Sequence, residues 1–332
     1  MKKIRAFFLA IFALPVAAAV GGFVWMNNGI APTEPGKHTY LRFDNAESFE
    51  LALRQLEMRG LVRSATALKA YAKLKGKAHP LIVGTFEFKS GMTADEILRA
   101  LYAPVKRMVR IPEGWWIQRV GKRLEDLGIC TKDEYVKAAS DVNALRQVVP
   151  IPNGRKNAEG YLYPDTYDIP PGTSAEQIVL MQANTMKKRL DQCGNVQFID
   201  KKLNIAAMVQ AEVALDRERP IVAGVIMNRL KKNMPLQIDA TVLYALGVWK
   251  QLGPGVVNKV DHPYNTYRHT GLPPGPIASP TLPSIKAAIS PAVTPYFYYV
   301  AMPDKSHLFA KTYAEHIQNI KRSRQAFAKV QK

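Results

Sequence analysis

Residues 203–230 read LNIAAMVQAEVALDRERPIVAGVIMNRL, and their pattern decides how the second half of the chain folds. The first half of the stretch is helix-like and apolar on nearly every face: Leu203, Ile205, Ala206, Ala207, Met208, Val209, Ala211, Val213, Ala214 and Leu215. A helix that is greasy all round is buried. One acid, Glu212, sits inside the run, and a buried carboxylate is expensive unless it is paired or protonated. Desolvation raises its pKa and makes it a proton donor near neutral pH, as cleavage of a glycosidic bond requires. Arg217, Arg219 and Arg229 lie close in sequence. They carry the alternative reading, in which Glu212 is half of a structural ion pair.

Working outward, helices are expected at 174–193, 200–215 and 220–232, with Pro220 in a first helical position. Downstream of Met234 the chain is rich in Pro, Gly and Tyr. A short helix is expected at 240–246, a strand at 296–302 and a last helix from 314 to about 330. Upstream, 40–43 and 81–88 read as strands. Helices are expected at 46–59, from Ser64 to about 76, and from Thr93, whose Glu96 completes a capping box. A strand at 108–111 leads through Pro112-Glu113-Gly114 to helices at 115–127 and 134–149. The fold class is α+β. The expected divisions are a cytoplasmic N-terminus at 1–5, a transmembrane helix at 6–26, a linker at 27–38 and a small mixed unit at 39–107. A connecting helical region at 108–155 and a helix-rich catalytic domain with a small sheet at 156–332 complete them.

The chain has 332 residues, 47% hydrophobic and 22% charged, with a net charge of +19. That field favours anionic partners. No run of six or more bases appears, so a nucleic-acid arm is not indicated. Cys130 and Cys193 lie far apart in sequence, and spacing does not decide whether they pair. The six histidines show no HExxH or His/Cys cluster, so the residues point to no metal site. Lys2, Lys3 and Arg5 precede an uncharged stretch of about 21 residues, long enough to cross a bilayer. Charge before it and little after it place the N-terminus in the cytoplasm. Ala17-Ala18-Ala19 carries the rival reading of a cleaved signal peptide, but the apolar run continues to Met26. Both readings export the bulk of the chain.

Four further clusters bear on chemistry. Residues 159–167, EGYLYPDTY, combine aromatic rings with carboxylates and read as a groove wall, with Tyr163 and Asp165 as candidates to hold substrate. In MPLQIDATVLY (234–244), Gln237 and Asp239 alternate with apolar neighbours, and Asp239 also suits a helix cap. Thr241 follows on the same segment. Tyr264 and Asn265 precede the stiff loop GLPPGPI (271–277), and Asn265 suits an acetamido group. The run 296–300, with His307 and Phe309 after it, reads as sheet packing.

Together these residues resemble the endolytic murein transglycosylase (YceG-like) family of bacterial inner membranes. The matching pieces, in family order, are the N-terminal anchor, GTFEFKSGMTADEIL, PEGWW, EGYLYPDTY, ERPIVAGVIMNRL, MPLQIDATVLYALG and YNTYRHTGLPPGPIASP. The resemblance implies a LysM-like first subdomain. It implies a single-pass inner-membrane protein with its C-terminal domains in the periplasm, peptidoglycan glycan strands as substrate, peptidoglycan synthases as partners, and no cofactor. The family's catalytic acid is the second Glu of E-x-E-T, which falls on Glu212. Gln210 stands for the first Glu, Val213 for the Thr, and Ala240 where the family often has Pro. Glu218 also matches and is expected to support the acid rather than replace it. The implied reaction is non-hydrolytic cleavage between MurNAc and GlcNAc, giving 1,6-anhydro-MurNAc ends. The rivals are a lysozyme-like hydrolase with water held by Asp239, and a non-catalytic peptidoglycan-binding scaffold.

Overall fold

The structure is a computed structural model that describes residues 20–29, 38–43, 49–79, 81, 84–194, 198–248 and 255–330. The expected cytoplasmic N-terminus at 1–5, most of the expected anchor at 6–26 and most of the linker at 27–38 lie outside these residues. Residues 20–29 are helical (α1). Among the described residues no helix is long and apolar enough to cross a membrane.

The chain forms two compact units, one of residues 1–108 with 168–172, the other of 109–167 with 173–332. The first is built on β1 (His38–Phe43) and β2 (Gly84–Lys89), antiparallel with Leu41 opposite Phe86. Period-two alternation sends Leu41, Phe43, Phe86 and Phe88 to one face, where all four are buried. Onto that face pack α2 (Phe49–Met58), through Ala52, Leu53 and Leu56, and α3 (Ala65–Leu74), started by a Ser64 cap. The short α4 (Ala94–Ala100) opens on the expected capping box. Thr93 Oγ1 accepts from the Glu96 amide, and the Glu96 carboxylate accepts from the Thr93 amide.

The second unit is helical. Short strands β3 (Met108–Arg110) and β4 (Thr166–Asp168) pair. Then come α5 (Ile117–Asp126) and α6 (Lys132–Ser140). Gly121 lets the Lys132 carbonyl and the Tyr135 ring come close to α5. The Tyr135 hydroxyl donates to Gln182 (2.6 Å) on α8 (Ala175–Asp191). Residues 109–155 fall within the second unit. The single helix expected at 134–149 is also broken. Asp141 ends α6 and accepts the Ala144 amide to start α7 (Val142–Leu145), a side-chain bond that competes with continuing the helix.

At the centre runs α9 (Ile199–Glu212), with Leu203 through Val209 buried without interruption. It packs against α10 (Arg219–Lys231), α11 (Asp239–Leu246) and α12 (Leu282–Ile289). Gly224 allows α10 to lie against the Ala292 carbonyl, where a Cβ would collide. The antiparallel pair β5 (Tyr298–Ala301) and β6 (His307–Ala310) is backed by α13 (Tyr313–Val330). Both cysteines are free.

Candidate active site

The helix expected to run to 215 stops at Glu212, because Val213 turns extended (φ −115°, ψ 119°). Glu212 thus closes α9. Its carboxyl is half-buried, and burial pushes its pKa up to about 7. The Tyr299 hydroxyl donates to Oε2 (3.0 Å) and pulls the value down. The Asp239 charge pushes it up, and the Arg229 charge opposes that. The carbonyl-rich end of a helix also disfavours a negative charge.

The arginines do not pair with this acid. Among the described residues no Lys or Arg nitrogen lies within 4.0 Å of the Glu212 carboxylate. Arg219 is bound to Asp216 (2.7 Å) and to Ser284 (2.6 Å). Arg229 is buried and donates to the carbonyls of Phe297 (2.6 Å), Leu236 (2.6 Å) and Pro235 (3.3 Å). It thereby pins the start of the β5 segment to the loop before α11.

Tyr299 is itself held. Its ring meets the His307 ring edge-on at 5.4 Å. His307 Nδ1 lies 2.7 Å from Glu218 Oε2, and the His307 amide donates to Glu218 Oε1 (3.2 Å). Glu218 is buried on the 3-10 turn Asp216–Glu218 that follows the acid. A chain of contacts thus runs from Glu218 through His307 and Tyr299 to Glu212. The run 296–300, read from sequence as sheet packing, supplies the hydroxyl on the acid. Its signal was alternation alone, which does not say that Tyr299 faces a helix 87 residues away.

Gln237 and Asp239 are exposed, on a segment laid against residues 264–270. The Gln237 amide donates to the Thr266 carbonyl (3.1 Å), and Gln237 adopts φ 54°, a left-handed backbone unusual for a residue with a Cβ. The Tyr267 hydroxyl donates to Asp239 Oδ1 (2.5 Å). Asp239 is the first residue of α11, one position inside the expected cap, and Ile238 at the cap makes no side-chain bond.

Two expected substrate contacts lie in the interior. Thr241 is fully buried, donates to the Ile238 carbonyl (2.7 Å) and meets Thr266 Oγ1 at 3.0 Å. Asn265 is also fully buried. Its Nδ2 donates to the carbonyls of Val257 and Val260 (2.7 Å each), and its Oδ1 accepts the Tyr267 amide (3.0 Å). Thr241 joins the two loops through Thr266, and the Asn265 side chain is taken up by two carbonyls and an amide of its own loop.

Tyr163 and Asp165 gather elsewhere, in a cavity of about 210 Å³ with Arg110, Glu113, Arg189 and Thr281. Tyr163 is largely buried, and its hydroxyl accepts the Leu282 amide (3.1 Å). Asp165 faces Arg189 at 3.5 Å. Gln210 Oε1 accepts from the Thr281 amide (3.1 Å), Thr281 Oγ1 (2.7 Å) and Ser284 Oγ (2.9 Å). The amide thus fastens the last turn of α9 to the start of α12. Tyr264 lines another cavity, with Tyr244 and Arg155. Among the described residues no group of three His, Cys, Asp or Glu side chains could hold a metal ion.

With this geometry in view, the chain's relatives fall into place. An endolytic murein transglycosylase of Bacillus subtilis (strain 168) is 30% identical over 320 residues, covering 89% of this chain and 88% of that one. One of Streptococcus pneumoniae serotype 2 (strain D39) is 27% identical over 361 residues, covering 96% of this chain and 65% of that protein, so this chain spans about two thirds of its length. The crystal structure of a YceG-like protein from Listeria monocytogenes superposes with a TM-score of 0.56 at 29% identity, covering 85% of this chain and 99% of that one. Residues 42–322 match the model of the YceG-like family, and the chain belongs to that family.

Proposed function

We propose that the chain is a membrane-anchored, endolytic peptidoglycan lytic transglycosylase. It cuts the β-1,4 bond between MurNAc and GlcNAc and leaves 1,6-anhydro-MurNAc ends. The observation that carries this reading is the Glu212 carboxyl, raised to about 7 chiefly by burial and touched by one hydroxyl and no cation. Such a group holds a proton near neutral pH and can also give it up. Family membership and the printed names of the relatives support the same reaction class.

Glu212 donates its proton to the glycosidic oxygen as the C1–O bond breaks. Positive charge develops at C1. The C6 hydroxyl of the same sugar closes onto C1, and its proton passes to the Glu212 carboxylate. No water is consumed, and the acid ends as it began. Tyr299 bonds the carboxylate in the interval when it is charged. Asp239 has one oxygen engaged by Tyr267, and its charge helps keep the proton on Glu212. It does not serve as nucleophile in this scheme. Residues 39–107, read as LysM-like, hold glycan, and the segment 6–26 anchors the chain in the inner membrane with residues 39–332 in the periplasm, beside peptidoglycan synthases.

Mass spectrometry of products from purified sacculi tests the reading. The wild-type chain is expected to release anhydro-capped fragments and Glu212→Gln to release none. Reducing ends carrying heavy oxygen from labelled water mark a hydrolase instead. Glycan retained by both chains without cutting marks a scaffold.

A further inference from the structure

A cavity of about 650 Å³ lies within the second unit, between residues 152–157 and 262–264. Its size is that of a small-ligand pocket. The walls include the rings of Tyr244 and Tyr264, 4.9 Å apart, with His262 5.7 Å from Tyr264. Trp116 meets Tyr244 edge-on at 6.2 Å and supports it from behind. Arg155 is fixed in the wall. It donates to Asp200 Oδ1 through Nε (3.1 Å) and Nη2 (2.5 Å), and to the Pro274 carbonyl (2.6 Å). Gly275 makes room for it, since a Cβ there would overlap the guanidinium.

Asp200 and Arg155 neutralise each other, and Lys156 is left exposed with no acid within 4.0 Å among the described residues. Glu159 lies buried near Tyr244, its pKa pushed up to about 8 by burial, so it is mostly protonated at neutral pH and does not oppose an anion in the cavity. The position matters too. Asp200 is in the first turn of α9 and Glu212 is its last residue, a span of about 18 Å at 1.5 Å per residue. Glu212 does not line this cavity.

We infer that the cavity is a second saccharide subsite, gripping a carboxylate-bearing sugar of the strand at a distance from Glu212. The inference rests on the glycan reading above. The tyrosine rings offer flat apolar faces to sugar C–H bonds. Lys156 supplies the charge that tells a carboxylate-bearing sugar from a neutral one.

The test is equilibrium binding by the full chain carrying Glu212→Gln, which prevents cutting. The probes are glycan strands stripped of their peptides, in which the lactyl carboxylate of MurNAc is free, and neutral N-acetylglucosamine oligomers. Adding Lys156→Glu is expected to weaken binding of the carboxylate-bearing strands about tenfold and of the neutral oligomers less than about twofold. Tyr264→Ala is expected to weaken both about tenfold, and Tyr264→Phe to restore both. Lys156 is exposed, so its variant reports even where Tyr264→Ala is poorly folded. Unchanged binding of the strands by Lys156→Glu, or equal loss on both probes, overturns the subsite. Absence of anhydro ends from the wild-type chain overturns the proposed reaction and leaves this binding pattern readable. Normal cutting with unchanged binding in the variants overturns the subsite alone.

Discussion

In the first unit the interior is Leu41, Phe43, Leu53, Leu56, Leu68, Phe86, Phe88, Leu98 and their apolar neighbours, and Thr85 is the one buried polar side chain among the described residues. In the second, Glu159, Gln182, Asn204, Glu218, Arg219, Arg229, Asn265 and Ser284 share the interior with the apolar groups. Each Phe or Leu in the first core contributes about 1.5–3 kcal/mol by leaving water. Each buried polar group in the second costs stability unless it is bonded. Most are bonded, and their bonds run between segments far apart in sequence. The first unit spends its burial on stability. The second spends part of it on holding Glu212 in a place where the charged form is disfavoured.

That contrast can be broken most sharply at the acid. Glu212→Gln is expected to lower kcat on peptidoglycan by about 10³-fold or more, read by release of soluble fragments, since it removes the only proposed proton carrier. Phe86→Ala probes the other side. It is fully buried against Phe43, with ring centroids 5.6 Å apart, and its loss is expected to cost about 3–5 kcal/mol in the denaturant transition of the first unit. The pH midpoint of Glu212 is expected not to move.

Asn265→Ala separates structural from substrate roles in the second unit. It strands the Val257 and Val260 carbonyls and is expected to cost about 1–3 kcal/mol of stability. A large rise in KM with unchanged stability would instead return Asn265 to the substrate. Tyr299→Phe removes the hydroxyl that pulls the Glu212 pKa down. The alkaline limb of kcat is expected to shift to higher pH, while kcat itself falls about tenfold because the returning carboxylate loses its donor.

The smallest effect concerns stability. The Glu212 pKa is about 7 folded against 4.5 for the unfolded chain, so the folded state binds the proton more tightly. The resulting penalty is absent below pH 4.5, grows as pH rises toward 7 and is complete above it. Glu212→Gln should therefore be more stable than wild type by about 1–3 kcal/mol at pH 8, and close to it at pH 4.

What the sequence revealed follows the same division. Local signals were legible: the Thr93–Glu96 capping box, the alternation that buries Phe86 and Phe88, and the all-round apolar run that marks α9 and isolates Glu212. Signals that depend on distant segments were not. Tyr299 lies 87 residues from the acid it bonds, and His307 lies 89 residues from Glu218. A polar side chain such as Asn265 looks the same in sequence whether it turns to a ligand or to two carbonyls of its own loop. Alternation groups Gln237 and Asp239, and the structure exposes both. Tyr163, Asp165 and Tyr264 were placed with them, and the fold distributes these three into two other cavities. The motifs marked where chemistry-bearing residues stand, while the side of each segment that faces the acid is set by tertiary packing.

The central claim is that burial keeps a proton on Glu212 near neutral pH. Its direct measure is the carboxyl titration of Glu212 by carbon-13 NMR, assigned by difference from Glu212→Gln. A midpoint near pH 7 is the expected result. A midpoint near 4.5, with the group charged through the neutral range, contradicts the account.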